Sequence, residues 1–460
     1  MSNVKVEKES RLREYLLSDA NIYHAIYSIE SYIFDYNLLE PEDKVLFHKL
    51  KDKFSEELLN EVIEKVRKKI KKLLNQKYIE TKVFFRPKKI DNETQKLVFR
   101  PLHTTDLITQ IAIVSMLHLF IYDITEDNKL ILSNLSRLLP ANFFGNRVSV
   151  NPAYLFKPWK NQYQKYNQKA NDALKKYHTS LEYKYEVTLD LENFFPTINP
   201  MIIYNYIIRH LPVYFDDKDK IFLGKVLHKL LFCKLKTQLD TKMRAEYYKV
   251  SNKHKNGAEI TIPVCEYVRG IPQGLPQSYF LGNIYMLIIC GIFKKEFPGV
   301  SYFYVDDSVI FTNEVSEEKD DFEEKLNNIN TQIKQEEEKY ISKTTDTKYP
   351  SGTENFYQSD LYGVKLHTSN KSSYVRLDTL DESDLYLKCI SREVSQGGND
   401  FYRMYSDEEN RNLEKKFAKL AEQIETRYKK LAEQIEKLES EKDVDLKKVQ
   451  NIKKIQDKLI

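Results

Sequence analysis

The stretch Ser301-Tyr302-Phe303-Tyr304-Val305-Asp306-Asp307-Ser308-Val309-Ile310-Phe311-Thr312 decides how the chain folds. Aromatic and β-branched residues lie on both sides of an adjacent pair of acids. The pattern predicts two strands joined by a tight turn, with Asp306 and Asp307 at the tip. Neighbouring carboxylates repel one another and titrate abnormally unless a cation lies between them. Mg2+ suits such a place, because it takes hard oxygen ligands and leaves positions open for phosphates. For the pair taken alone, a solvated Asp-rich turn is the plain alternative.

A further acid lies upstream, in Tyr185-Glu186-Val187-Thr188-Leu189-Asp190-Leu191-Glu192-Asn193-Phe194-Phe195-Pro196. The first half alternates like a strand, and Asp190 falls at its exit. Asn199-Pro200 then reads as cap and first position of a helix over the apolar residues Met201 to Leu211. Next comes Arg269-Gly270-Ile271-Pro272-Gln273-Gly274-Leu275-Pro276-Gln277-Ser278, running into an apolar helix from Tyr279 to Phe293. Strand, acid, helix, glycine-containing loop, helix and acid-tipped hairpin follow in that order. An α+β fold with a split β-α-β plan of ferredoxin type, bringing three separated carboxylates together, is expected.

These three stretches carry a family resemblance. Asp190 with Phe195 five positions on resembles motif A of reverse transcriptases. Ile271-Pro272-Gln273-Gly274, with Ser278, Leu281 and Asn283, resembles their motif B, and Tyr304-Val305-Asp306-Asp307 their motif C. The resemblance spans roughly residues 80 to 375. It implies a right-hand polymerase: a helical N-terminal region (1–80), fingers (81–184), a ferredoxin-like palm (185–375, with an insertion near 234–262) and a helical thumb or C-terminal extension (376–460).

The 460 residues carry 72 Lys and Arg against 68 Asp and Glu, a net charge of only +4. Global charge therefore does not identify a nucleic-acid binder; local clusters must. Cys233, Cys265, Cys290 and Cys389 form no Cys-x-x-Cys pair, so a zinc site or disulfide framework is not expected. The start of the chain is charged, and no uninterrupted apolar run reaches the roughly 20 residues a bilayer span needs. A cytoplasmic protein without a membrane partner is the expectation.

Along the N-terminal region, Leu58, Leu59, Val62, Ile63, Val66, Ile70, Leu73 and Leu74 make one helical stripe. Lys65, Arg67, Lys68, Lys69, Lys71 and Lys72 occupy the other face, open to solvation, phosphate contact or a membrane surface. Lys82 to Lys89 and Leu97 to Leu102 read as a hairpin. Phe143-Phe144-Gly145-Asn146-Arg147, Phe156-Lys157-Pro158-Trp159 and Gln162 to Tyr166 interleave aromatic and basic residues, suited to a single strand or to a packed base of the fingers. A long acidic helix is expected from Ser316 to about Tyr340, then a hairpin from Leu361 to Leu377. Near the end, Leu420-Ala421-Glu422-Gln423-Ile424-Glu425 recurs eleven residues later as Leu431-Ala432-Glu433-Gln434-Ile435-Glu436. That period gives a nearly straight apolar stripe, which can pack on the body or on another subunit, as homo- or hetero-oligomer.

The resemblance implies a reaction: a primer 3′-hydroxyl attacks the α-phosphate of a dNTP and pyrophosphate leaves. Two Mg2+ ions, which Mn2+ can replace, would be held by Asp190, Asp306 and the Leu191 carbonyl, with Asp307 supporting. Lys88 and Arg100 on the fingers hairpin would hold the triphosphate, since fixed cations must stand near its oxygens; Arg86 and Lys89 compete with Lys88 for the role. Phe195 would sit beneath the sugar and exclude a 2′-hydroxyl, or simply pack behind the acid. Gln273 and Gly274 would line the nucleotide, Lys343 would protonate the leaving pyrophosphate with Lys348 as competitor, and Tyr304 and Ser278 would meet primer or template. Among reverse transcriptases, the chain most resembles bacterial abortive-infection and defence-associated members. That implies antiphage defence, with DNA made from a noncoding RNA template or without a template. A module that holds RNA and signals without synthesis is the alternative from another class.

Overall fold

In the computed structural model the described residues are 11–400, apart from 34–35, 53–54, 77, 91–96, 125–129, 213, 249–266, 317, 342–348, 351–352, 360 and 369–370, with a few isolated positions beyond. Lys343, Lys348 and nearly all of the eleven-residue repeat lie outside them. The chain divides into two compact units, Met1–Leu377 and Asp378–Ile460. The expected regions 1–80, 81–184 and 185–375 all fall within the first. Mixed α and β structure, with several small sheets, makes up the described residues.

Four helices form the N-terminal part: Arg11–Leu16, Asp19–Tyr27, Pro41–Asp52 and Glu56–Asn75. The last is capped by the Ser55 hydroxyl, which accepts from the Leu58 N–H. Its stripe of Val62, Ile63, Val66, Ile70 and Leu73 is buried, so that stripe packs. Strand β1 (Ile79–Ile90) pairs antiparallel with β2 (Leu97–Thr104), giving the expected hairpin. A bulge interrupts the register: Pro87 faces Phe99 and Lys89 faces Val98, leaving Lys88 as the extra residue. Bulges bend a strand and re-aim the side chain they carry. The helix Leu107–Ile121 follows, capped by Asp106 and buried on every face.

β3 (Tyr122–Ile124) and β4 (Leu130–Leu132) form a small separate ribbon. β5 (Tyr185–Leu189) and β6 (Cys233–Leu235) come next, and β6 lies parallel to β1. Thus the lysine-rich segment after Cys233 starts as a third strand of the first sheet. It continues as the helix Thr241–Tyr248, whose Tyr248 is buried and donates to the Tyr267 carbonyl at 2.6 Å. β7 (Gly299–Tyr304), β8 (Asp307–Thr312) and β9 (Ser373–Arg376) complete the second sheet, in the order β7-β8-β5-β9 with every pairing antiparallel.

The connections of this sheet run strand, helices, hairpin, helix, strand, with the first strand, β5, in an inner position. The helix Pro200–Arg209 is capped as the sequence indicates: Asn199 Oδ1 accepts from the Met201 N–H at 3.0 Å. Pro276–Glu296 is the central core helix. It is long and apolar enough to cross a membrane by length and composition, but most of it is buried within the fold. The long acidic helix begins at Lys319, with the Ser316 hydroxyl donating to Asp321 at 2.6 Å, and ends at Ile341. One expectation fails here. Leu361 to Leu377 is not a hairpin: β9 pairs with β5, and Leu366 bridges Leu191 instead of folding back on β9.

Candidate active site

The acid-tipped hairpin forms as expected, and its turn is strained. Tyr304 pairs with Asp307, leaving Val305 and Asp306 as a two-residue turn. Val305 has φ 56°, a left-handed conformation that β-branched residues avoid. Strain of this kind persists only when the surroundings impose it. Here Gly145 backs onto the turn so closely that a Cβ there would lie 2.6 Å from Val305 Cγ2. Asn283 holds the Gly145 loop, its amide donating to the carbonyls of Gly145 (2.9 Å) and Asn146 (3.1 Å). Phe143 stacks on Phe303 with ring centroids 4.6 Å apart, and the Phe144 N–H donates to the Phe303 carbonyl. The aromatic stretch at 143–147 is therefore a packed support under the turn.

Register brings Asp190 to the same place. Leu189 lies opposite Ser308, so Asp190 leaves β5 beside the start of β8, where Asp307 stands. Beyond β5, the His367 N–H donates to the Asp190 carbonyl (3.0 Å) and the Glu192 N–H to the Lys365 carbonyl (2.8 Å). Leu191 and Leu366 are thus a non-hydrogen-bonded antiparallel pair. In such a pair the carbonyl of Leu191 points away from Leu366, toward the β8 side that carries the acids.

Electrostatics ties the acids to the first hairpin. Burial, and then the facing carboxylate of Asp190, push Asp306 above the ordinary range; its own backbone N–H, Arg100 and Lys88 oppose the shift. Burial, then Asp306 and Asp190, raise Asp307 as well, against Lys371 and Lys88. Asp307 keeps an exposed side chain, so the crowd of like charge is the cause that best accounts for its direction. Lys88 is pushed down by desolvation and by the cations Arg100 and Lys371, and held up by Asp190 and Asp306. Lys88 is the bulged residue, whereas Arg86 lies directly across from Arg100. Both Lys88 and Arg100 are exposed.

Sequence reasoning missed two residues on the segment after Leu366. Lys371 Nζ stands 2.9 Å from Asp190 Oδ2 and 3.0 Å from His367 Nε2. His367 Nδ1 faces Glu192 Oε1 at 3.3 Å, and the Asp190 N–H is 3.4 Å from Ser372 Oγ. Desolvation, and then Lys371, hold His367 below its usual range. The neutral ring can accept from Lys371 through Nε2 while Nδ1–H faces Glu192. No periodic or motif signal marks a lysine in a polar loop as part of an acid cluster.

The remaining expected site residues fall as follows. The Gln273 carbonyl accepts from the His103 N–H at 2.7 Å, and Gly274 (φ 110°) lies where a Cβ would meet the His103 carbonyl at 2.6 Å. The close approach that requires glycine is therefore to strand β2. Ser278, expected against primer or template, is fully buried and donates to the Pro272 carbonyl at 2.8 Å, so it fixes the loop from inside. Tyr304 is half-buried, edge-on to Tyr163 at 4.8 Å and near Tyr166. Phe195 is 7% exposed, with its ring against Gly282 and Tyr279 and its carbonyl accepting from the Ile271 N–H.

The donor chemistry at this place (two carboxylates, a third beside them and a backbone carbonyl) suits a hard divalent cation. Among the described residues, however, no three His, Cys, Asp or Glu side chains form a ready metal cage. Asp190 is instead paired with Lys371. Compared with known proteins, the chain matches no family model and no curated protein.

Proposed function

We propose that the protein is an RNA-directed or template-independent DNA polymerase that adds deoxynucleotides by phosphoryl transfer. The observation that carries this reading is register: Leu189 opposite Ser308, and the turn closed by Tyr304 and Asp307, put Asp190, Asp306 and Asp307 at the same end of the β7-β8-β5-β9 sheet; Lys88 and Arg100 of a separate hairpin act electrostatically on Asp306. The strand order and connections support a ferredoxin-like palm in this reading, and the bulged hairpin would be the fingers. Asp190, Asp306 and the Leu191 carbonyl would hold Mg2+, whose charge supports the attacking hydroxyl and the leaving pyrophosphate. Arg100 and Lys88 would clamp the triphosphate, so that positioning and charge neutralisation provide most of the rate. Val305, pinned by Gly145, would keep the acids from turning away as the substrate enters. Phe195, buried beside motif B, would limit the room below the sugar.

In this reading any template is RNA, such as a noncoding RNA, and the biological setting is antiphage defence. One observation favours a second reading: Asp190 is already paired with Lys371, as in a fold that holds RNA without synthesis. Purified protein incubated with each labelled dNTP and Mg2+, with and without co-purified RNA, separates the two. Ribonuclease-resistant product supports the polymerase. Bound RNA without product supports the silent module.

A further inference from the structure

We propose that Lys371 is the resident counter-ion of the acid cluster, occupying at Asp190 the charge position that a divalent cation takes on loading. The inference rests on the polymerase reading and deepens it at one residue. Asp190 has a carboxylate oxygen 2.9 Å from Lys371 Nζ, and this ammonium has a second acceptor in His367 Nε2 at 3.0 Å. His367 is itself held: its N–H is bonded to the Asp190 carbonyl and its Nδ1 faces Glu192. The loop thus delivers a positive charge to the carboxylate that would bind metal, from backbone already bonded to the same residue.

The pair is suited to exchange. Lys371 is 40% exposed and Asp190 24% exposed. An ion pair open to water shifts an equilibrium only a few-fold, so a divalent ion can displace it. A lysine carries its charge on a flexible four-carbon stem and can follow the charge that it loses. With Lys371 on Asp190, the free protein avoids leaving all three acids uncompensated.

The test is Mn2+ binding by the full chain without nucleotide, followed by electron paramagnetic resonance of the free ion. Lys371→Met keeps the stem and removes the charge, and it should bind Mn2+ about two- to fivefold more tightly than the parent, the equivalent of one exposed ion pair. Lys371→Arg retains the charge and should stay at or below the parent affinity. If Lys371→Met leaves the affinity unchanged or weakens it, while Asp190→Asn and Asp306→Asn abolish binding, the counter-ion role is overturned and the metal site stands. If neither Asn variant weakens binding, the metal site and the counter-ion role fall together. Circular dichroism of each variant verifies that the fold is retained.

Discussion

Two groups of acids flank the segment Val364–His367, and they meet burial in opposite ways. At its Val364 end, Glu337 is 4% exposed, and its carboxyl accepts from the Tyr285 hydroxyl (2.6 Å) and the Val364 N–H (3.3 Å). Burial pushes it up to about 7, so a neutral acid with neutral partners serves there. At the His367 end, Asp190, Asp306 and Asp307 face Lys371, Lys88 and Arg100 instead. The first arrangement holds elements together and needs no ion. The second gathers fixed charge that only cations can balance, the arrangement phosphoryl transfer uses.

Substitutions at both groups of residues test that contrast. The largest effect is expected from Asp306→Asn, which should lower turnover on the order of 10²–10³-fold with the thermal midpoint little changed, the size seen when one preorganised electrostatic group is removed. A comparable loss of folding would place Asp306 with Glu337 as a structural acid. Arg100→Ala and Lys88→Ala come next. A charge-assisted contact is worth roughly 1.5–3 kcal/mol, so each should raise the KM for dNTP about tenfold or more, with Arg100 the larger because it can grip two oxygens. Equal effects of Arg86→Ala would remove the special role of the bulge.

Phe195→Val sharpens the boundary between packing and chemistry. The ring is nearly buried, so stability should fall, yet the rise in ribonucleotide incorporation relative to deoxynucleotide is the decisive readout. An unchanged ratio would leave Phe195 purely as core. The smallest effect on turnover concerns Glu337, where the readout is stability. Its folded-state pKa is raised from 4.5 to about 7, so the stability it gives is complete below pH 4.5 and is lost as the pH rises through about 7. Glu337→Gln should flatten that slope, worth up to about 3.5 kcal/mol at about 1.4 kcal/mol per pKa unit. A pH series of urea unfolding curves measures it.

Much of this was legible in the sequence where the signal is local. The alternation around Asp306 and Asp307 forecast the hairpin, Asn199-Pro200 the helix start, and the apolar runs flanking residues 91–96 the β1–β2 pair. What depends on long-range packing was not. Ser278 lies in the first turn of a helix that packs on Leu107–Ile121, Pro200–Arg209 and Lys319–Ile341, and nothing in its neighbours shows which face turns inward. The segment Leu361 to Leu366 has strand-like composition, but its partners are Leu191 and Glu337, both far off in sequence. Lys371 reads as an ordinary loop lysine until β9 pairs with β5 and brings it to Asp190.

The most direct test of the central claim is a crystal structure with Mn2+ and a non-hydrolysable dNTP analogue, using the anomalous signal of manganese. The account predicts manganese between the carboxylates of Asp190 and Asp306, the triphosphate against Arg100 and Lys88, and Lys371 withdrawn from Asp190. Manganese absent from those acids at saturating concentration, with the Lys371–Asp190 pair intact, would contradict it.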